Sequence, residues 1–275
     1  MNVLHDKMSG WAAGVYDCYT NAEYHAHSGI SKSSLDLIHK SPAHYLASKS
    51  MPREETPAMK LGTAFHTATL EPDSWGKYFT TVDGDRRRKA TQEAIKAAEA
   101  EGKIVLTDEE YTTVGAMAVS VWHNRIATAL IRGAAVEHSI FSEIDGVHVK
   151  CRPDGWQVGK NVMFDLKSTE DASPAGFARS VARYRYYVQD AYYRHVVASL
   201  TGEDADKMTF IFIAVEKKPP YAVALYNLDE LAKLQGWVEA REDLRVYREA
   251  EERDEWKGYS PKIETLSLPR WTSAE

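Results

Sequence analysis

Residues 150–168, with the sequence KCRPDGWQVGKNVMFDLKS, contain the two strands on which the prediction of the fold rests. Residues 162–168 are apolar enough for a central β-strand, and a short turn separates them from another predicted strand over residues 147–157. Each strand carries one aspartate, Asp154 on the first and Asp165 on the second. Because neighbouring strands lie about 4.8 Å apart, we expect the two carboxylates to converge.

The chemistry predicted for this pair is metal-dependent hydrolysis of a phosphodiester. Two adjacent carboxylates repel each other unless a cation lies between them, and oxygen ligands of this kind suit Mg²⁺ or Mn²⁺. Side chains alternate along a strand, so Lys167 points to the same side as Asp165. A lysine there can orient or deprotonate a water, or stabilise negative charge on the phosphate oxygens. Taken alone, the pattern also fits surface carboxylates paired with one lysine.

Three helical residues extend this set. His66 lies four residues after Gly62 on a predicted helix, where the glycine leaves room for another backbone or a DNA strand beside the imidazole. A neutral imidazole can bind a metal or contact a phosphate. Gln189 and Tyr193 are also four residues apart, on a helix that follows the third strand. Each of these residues, taken singly, also fits an ordinary helix face.

Helical and extended patterns alternate along the rest of the chain. We predict strands at residues 77–82, 135–144, 147–157, 162–168, 208–216 and 221–226. We predict helices at residues 59–70, 88–101, 107–121, 123–131, 174–183, 186–200 and 229–252. This order predicts an α/β fold with a mixed central sheet flanked by helices, plus N-terminal helical additions.

Composition narrows the class of protein. The 275 residues are 44% hydrophobic and 27% charged, as in ordinary globular proteins. With no long apolar run and no secretion signal, we expect a cytoplasmic protein without membrane contact. Two cysteines exclude a four-cysteine zinc or iron–sulfur site. The formal net charge of −6 argues against a protein that coats nucleic acid, but not against an enzyme with a local basic channel.

The order Gly62-xxx-His66, Asp154, Asp165-Leu166-Lys167 and Gln189-xxx-Tyr193 resembles the RecB-like branch of the PD-(D/E)xK nuclease superfamily. Within that branch the chain is most similar to the RecE-type phage and prophage exonucleases (exonuclease VIII). Further motifs add to the likeness, which spans about residues 24–271: Ser31–Leu35, Ser41-Pro42, Glu137–Phe141 and Leu268–Trp271.

The resemblance implies a PD-(D/E)xK core within a single nuclease domain, residues 1–275. Residues 1–130 would form a mainly helical part, residues 131–228 the catalytic sheet and residues 229–275 a helix and tail. The implied metal ligands are His66, Asp154, Asp165, the Leu166 carbonyl and, more loosely, Glu137. The implied catalytic residues include His66, Asp154 and Asp165 again. Lys167 would serve the attacking water or the transition state. Gln189 and Tyr193 would position Lys167 or the DNA backbone.

The implied activity is Mg²⁺-dependent digestion of linear double-stranded DNA from its ends, 5′→3′, with Mn²⁺ able to substitute. The products would be 3′ single strands for an annealing protein of RecT type, in DNA recombination. RecE-type enzymes resemble closed homo-oligomeric rings, often tetramers, and a ring would place basic residues around the DNA and acidic residues outside. We expect four arginines to contact phosphates: Arg152, Arg179, Arg183 and Arg185.

Three alternatives stay open at this point. The same fold serves structure-specific and nicking endonucleases, which would cut circular DNA. A non-catalytic DNA-binding protein could keep the fold, although the intact Asp154, Asp165 and Lys167 argue against it. An unrelated metalloenzyme with two aspartates and a histidine would leave Lys167, Gln189 and Tyr193 unexplained. No GxxxxGK[ST] motif occurs, so the enzyme should act without ATP.

Overall fold

The N-terminal half of the chain is mainly helical in the computed structural model, which describes residues 3–4, 10–51 and 56–267. Its elements are β1 (Val3–Leu4), β2 (Gly14–Tyr16), α1 (Asn21–Ala26), α2 (Lys32–Lys40), α3 (Pro42–Ser50), α4 (Pro57–Leu70), α5 (Trp75–Tyr78), β3 (Phe79–Thr81), α6 (Lys89–Ala100), β4 (Ile104–Leu106), α7 (Asp108–His123) and α8 (Arg125–Ile131). Capping follows the sequence: Ser31 accepts a hydrogen bond from the Ser34 amide, and Thr107 and Glu110 form a capping box.

The C-terminal half contains most of the strands. Its elements are β5 (Ala135–Val136), β6 (Ser139–Ile144), β7 (Val147–Cys151), β8 (Gly155–Gln157), β9 (Val162–Thr169), α9 (Pro174–Arg183), α10 (Tyr186–Thr201), β10 (Thr209–Glu216), β11 (Val223–Tyr226) and α11 (Glu230–Arg253). Within the described residues, no helix is long and apolar enough to cross a bilayer.

The central sheet has the strand order β11-β10-β9-β8-β5. Strands β9 and β10 run parallel, and the other pairs are antiparallel, so the sheet is mixed, as predicted. Helices cover both of its faces: Tyr192 of α10 belongs to the apolar cluster on one face, and Phe65 of α4 to the cluster on the other. The fold is therefore α/β with a mixed sheet and N-terminal helices, which confirms the predicted class.

The pairing of β8 with β9 brings the two aspartates together. Gly155 is the partner of Phe164, so the next position in the same antiparallel register sets Asp154 against Asp165. A Cβ atom on Gly155 would lie 2.1 Å from the Phe164 ring, a distance that no packed pair of carbons can adopt. Glycine at this position therefore allows the ring to pack over β8 and the strands to keep this register.

Two predicted strands are wrong in extent, because each is divided between two sheets. Residues 135–144 separate into β5 and β6, and residues 147–157 into β7 and β8; β6 and β7 belong to a second sheet of order β1-β2-β6-β7. Glu137, with φ of 53°, interrupts the first strand. Pro153, which has no N–H to donate, lies in the second break. The first break places Glu137, and the second places Asp154, where the chain passes between the central sheet and the second sheet.

The predicted strand at residues 77–82 is also wrong at its start. Trp75–Tyr78 form α5, and only Phe79–Thr81 are extended, pairing in parallel with β4 as a separate two-stranded sheet. The tetrapeptide Leu268–Trp271, which contributed to the resemblance, lies outside the described residues.

Candidate active site

Asp154 anchors the site from the break between β7 and β8. The side chain is buried, with 6% of the residue exposed. Its Oδ2 accepts a hydrogen bond of 2.5 Å from the Leu166 backbone N–H, which fixes the carboxylate against β9. Its Oδ1 lies 3.3 Å from His66 Nδ1. Sheet pairing and one side-chain hydrogen bond therefore determine where this carboxylate points.

His66 reaches the same place from α4. Its Nε2 lies 3.0 Å from the Leu166 carbonyl oxygen, so the ring bridges that carbonyl and Asp154. Burial alone would lower the pKa of His66, but the carboxylates of Asp154, Asp165 and Glu137 together outweigh burial and raise the pKa to about 9. The positively charged imidazolium thus lies between two oxygens, Asp154 Oδ1 and the Leu166 carbonyl oxygen. A metal ion that binds a ring nitrogen of His66 must displace the proton from that nitrogen.

Gly62 leaves open space one turn before the histidine, as predicted. No described atom lies within 4 Å of a Cβ built there, apart from the neighbouring residues and the helix backbone, so the space is not filled by another part of the protein. The face of α4 in front of His66 is consequently free of bulk.

Asp165 and Lys167 lie on one side of β9, as the alternation of strand side chains predicts. Their carboxylate and ammonium form an ion pair. Gln189 of α10 donates a hydrogen bond of 2.5 Å from Nε2 to Asp165 Oδ2. Oδ1 is buried and contacts the Lys167 ammonium without accepting a hydrogen bond of good geometry. Burial and the charge of Asp154 raise the pKa of Asp165.

Lys167 stays protonated in this setting. Burial lowers its pKa, but the Asp165 carboxylate outweighs burial, and the net pKa lies above the usual range for lysine. The ammonium Nζ also lies 4.6 Å from the centre of the Tyr186 ring, a cation–π contact. Lys167 can therefore provide a positive charge and a hydrogen-bond donor.

Glu137, Asp154 and His66 form the group best suited to hold a metal ion. One ligand atom from each lies within 4.8 Å of the others. Burial and the nearby Asp154 raise the pKa of Glu137 to about 8, and Arg152 approaches its carboxylate at 4.0 Å. One buried carboxylate, one half-buried carboxylate and one imidazole are a donor set that fits a divalent cation such as Mg²⁺ or Mn²⁺.

Two other predicted ligands lie beside this group. Asp165 is held by Lys167 and Gln189, and the Leu166 carbonyl contacts His66.

Tyr193 follows Gln189 by one turn, but its ring packs against Phe210, with centroids 5.8 Å apart. Burial raises the pKa of Tyr193 well above its usual value.

The four predicted phosphate-contacting arginines fall into two classes. Arg152 is 9% exposed and donates hydrogen bonds to Ser139 Oγ and the Tyr19 carbonyl. Arg185 forms ion pairs with three carboxylates, those of Asp36, Glu239 and Asp243. These two guanidinium groups are engaged inside the protein, which corrects the expectation that they face DNA.

Arg179 and Arg183 instead line an open cleft that begins at Lys167. The cleft follows α9 and the end of β9, and its walls carry four cationic side chains, Lys167, Arg179, Arg183 and Lys217. Two acidic residues, Glu170 and Asp171, also line it and pair with Lys217 and Arg179. Sequence reasoning missed Lys217 because it lies fifty residues after Lys167 and comes to line the same cleft only through the pairing of β9 with β10.

A comparison with known protein families shows the family to which this chain belongs. The family described as "PDDEXK-like domain of unknown function (DUF3799)" matches residues 31–269. The chain belongs to this family. The PDDEXK-like assignment agrees with the site, because Asp154, Asp165 and Lys167 stand where a PD-(D/E)xK motif requires an acid, a second acid and a lysine.

One solved structure shares the fold of this PDDEXK-like protein. A candidate exonuclease from Eubacterium rectale aligns with a TM-score of 0.60 at 14% identity, over 84% of this chain and 87% of that chain. A phage-related exonuclease from Haemophilus somnus 129PT gives a TM-score of 0.33 at 10% identity, over 83% of this chain and 97% of that chain, too low a likeness to carry an argument. None of the curated proteins matches. Family and fold together support a nuclease.

Proposed function

We propose that this PDDEXK-like protein is a Mg²⁺-dependent DNA exonuclease of RecE type. The observation that carries the proposal is the convergence of His66, Asp154, Asp165 and Lys167, of which Lys167 also lines a cleft with four cationic side chains. A surface ion pair would not bury both aspartates or place a histidine between an aspartate and a backbone carbonyl. Carboxylates and an imidazole that can hold a metal ion, with an ammonium beside them, are a combination that can hydrolyse a phosphodiester.

The metal ion would be held by His66, Glu137 and Asp154, with Asp165 and the Leu166 carbonyl beside them. When bound, the ion supplies positive charge that polarises the scissile phosphate and lowers the pKa of a water. It also relieves the repulsion from Asp154, which, after burial, is the next largest cause of the raised pKa values of Glu137 and Asp165. Mn²⁺ would serve as well, since carboxylate and carbonyl oxygens suit Mn²⁺ as they suit Mg²⁺.

Lys167 would act as a fixed cation during hydrolysis. The water oxygen forms a bond to phosphorus while the bond to the 3′-oxygen breaks, which gives a 5′-phosphate and a 3′-hydroxyl. Negative charge grows on the phosphate oxygens in this step, and the Lys167 ammonium faces them. Gln189 holds Asp165, and through it the ammonium, in position.

The proposed substrate is the end of linear double-stranded DNA. Arg179 and Arg183 are the phosphate contacts, because both line the cleft next to Lys167. The RecE-type resemblance supports 5′→3′ digestion, a ring of subunits around the duplex, and transfer of the 3′ strand to a RecT-type annealing protein. The Eubacterium rectale structure described as a candidate exonuclease adds support for action at ends.

The testing experiment compares linear and covalently closed circular forms of one plasmid, each with Mg²⁺ and with EDTA. Loss of the linear form alone, with Mg²⁺ only, is the expected result. Strands labelled at the 5′ or 3′ end then give the polarity. Cutting of the circle would replace the exonuclease with an endonuclease of the same fold. A well-folded protein that cuts neither form would be a DNA-binding protein without catalysis.

A further inference from the structure

An aromatic stack leads from the core to the wall of the cleft. Phe212 of β10 is fully buried, and its ring stacks on that of Tyr186, with centroids 5.7 Å apart and planes inclined by 26°. Tyr186 in turn stacks on Tyr184, at 5.6 Å and 29°. Tyr184 ends the series and is 50% exposed. The stack therefore terminates in a ring that is accessible to a further planar group.

The backbone around Tyr184 is fixed by contacts with Lys32 and through the neighbouring Arg185. Lys32 Nζ donates a hydrogen bond of 2.6 Å to the Tyr184 carbonyl oxygen. The next residue, Arg185, has a left-handed backbone with φ of 52°, and its guanidinium is clamped by buried or half-buried carboxylates, including Asp243 at 2.7 Å. A ring on a fixed backbone loses little conformational entropy when it binds a ligand.

The exposed ring shares its cleft with the proposed catalytic lysine. Tyr184, Tyr186 and Lys167 all line it, and Tyr186 contacts Lys167 Nζ directly. The Arg183 guanidinium lies 5.5 Å from the Tyr184 ring centre, and Arg179 lines the same wall. Aromatic rings interleaved with cations are the combination that binds single-stranded nucleic acid, since rings stack on bases while cations neutralise phosphates.

We propose that Tyr184 stacks on an unpaired base of the substrate strand, one or a few nucleotides from the scissile phosphate. The inference rests on the proposed function for the identity of the ligand as DNA. Inside a duplex both faces of a base are covered by its neighbours, and only the terminal pair exposes one face, so the proposal is that the stacked base has left the helix. The strand therefore passes through this cleft unpaired, with Arg179 and Arg183 on its phosphates.

The test is a double-mutant cycle between the ring and the base. A labelled single-stranded oligonucleotide is bound in EDTA, so that no hydrolysis occurs, and a set of variants carries one abasic site at successive positions. We expect one abasic position to weaken binding to the native protein about tenfold, as does Tyr184→Ala with the intact strand. Combined, the two changes should cost no more than either alone. Tyr184→Phe, which keeps the ring, should bind like the native protein.

The matched control is Tyr78→Ala. Tyr78 is 40% exposed and has a lysine ammonium 5.1 Å from its ring, but it does not line the cleft. Its removal should leave affinity unchanged. Ring and base effects that simply add at every position would overturn the proposal, as would equal losses for Tyr184→Ala and Tyr184→Phe. Because the cycle is measured without metal, it stands or falls separately from the plasmid assay, which alone decides whether the protein hydrolyses DNA.

Discussion

At the scale of single residues, a substitution at Lys167 should impair hydrolysis without impairing DNA binding. Its protonated side chain contacts Asp165 and Tyr186 in the site, whereas Lys217 lies across the same cleft and pairs with Glu170. Loss of one fixed charge that stabilises the transition state costs about 10²–10³-fold in kcat. We therefore expect Lys167→Ala to lower kcat at least that much with little change in DNA affinity. Lys217→Ala should weaken affinity and keep kcat, as measured by single-turnover hydrolysis and by binding in EDTA.

His66 makes the stability of the metal-free protein depend on pH. Its pKa rises from 6.5 to about 9 on folding, so its contribution is complete below pH 6.5 and is lost as the pH rises through 9. In EDTA, we expect the free energy of unfolding to fall by roughly 1–3 kcal/mol between pH 6 and pH 9 on account of this group. His66→Gln should remove that part of the decline in urea titrations. An identical decline in the variant would contradict the assignment.

At the scale of elements, Gly155 sets the pairing of β8 with β9. Gly155→Ala would drive a Cβ into the Phe164 ring, and overpacking of this kind costs about 1–3 kcal/mol. Gly159→Ala, in the following turn, has open space and serves as the control. Urea unfolding should show the loss for Gly155→Ala alone. Gly155→Ala with Phe164→Leu should recover part of it, and equal stability of both single variants would refute this role.

The elements also show which features a sequence can predict. Strand β9 and helices α9, α10 and α11 agree with prediction within one or two residues. Strand β9 is a short apolar run, Ser173 and Asp229 cap the starts of α9 and α11, and Gly202 ends α10. The division of residues 135–144 between two sheets was missed, since a left-handed Glu137 leaves no trace in hydrophobic alternation. The prediction that Arg185 contacts DNA phosphates is wrong for a similar reason. Its partners, among them Asp243, are distant in sequence, so only the tertiary structure shows that its charge is already neutralised.

At the scale of the whole molecule, a chain with a net charge of −6 must attract DNA through a local field. If the cleft cations neutralise about three phosphates, the slope of log K against log salt should be about −3. Arg179→Ala with Arg183→Ala should reduce its magnitude by about two. Arg87→Ala with Lys89→Ala changes the net charge equally, at two side chains 90% and 91% exposed. Because neither lines the cleft, this pair should leave the slope unchanged, and an equal loss in both pairs would mean that net charge rather than the cleft governs binding.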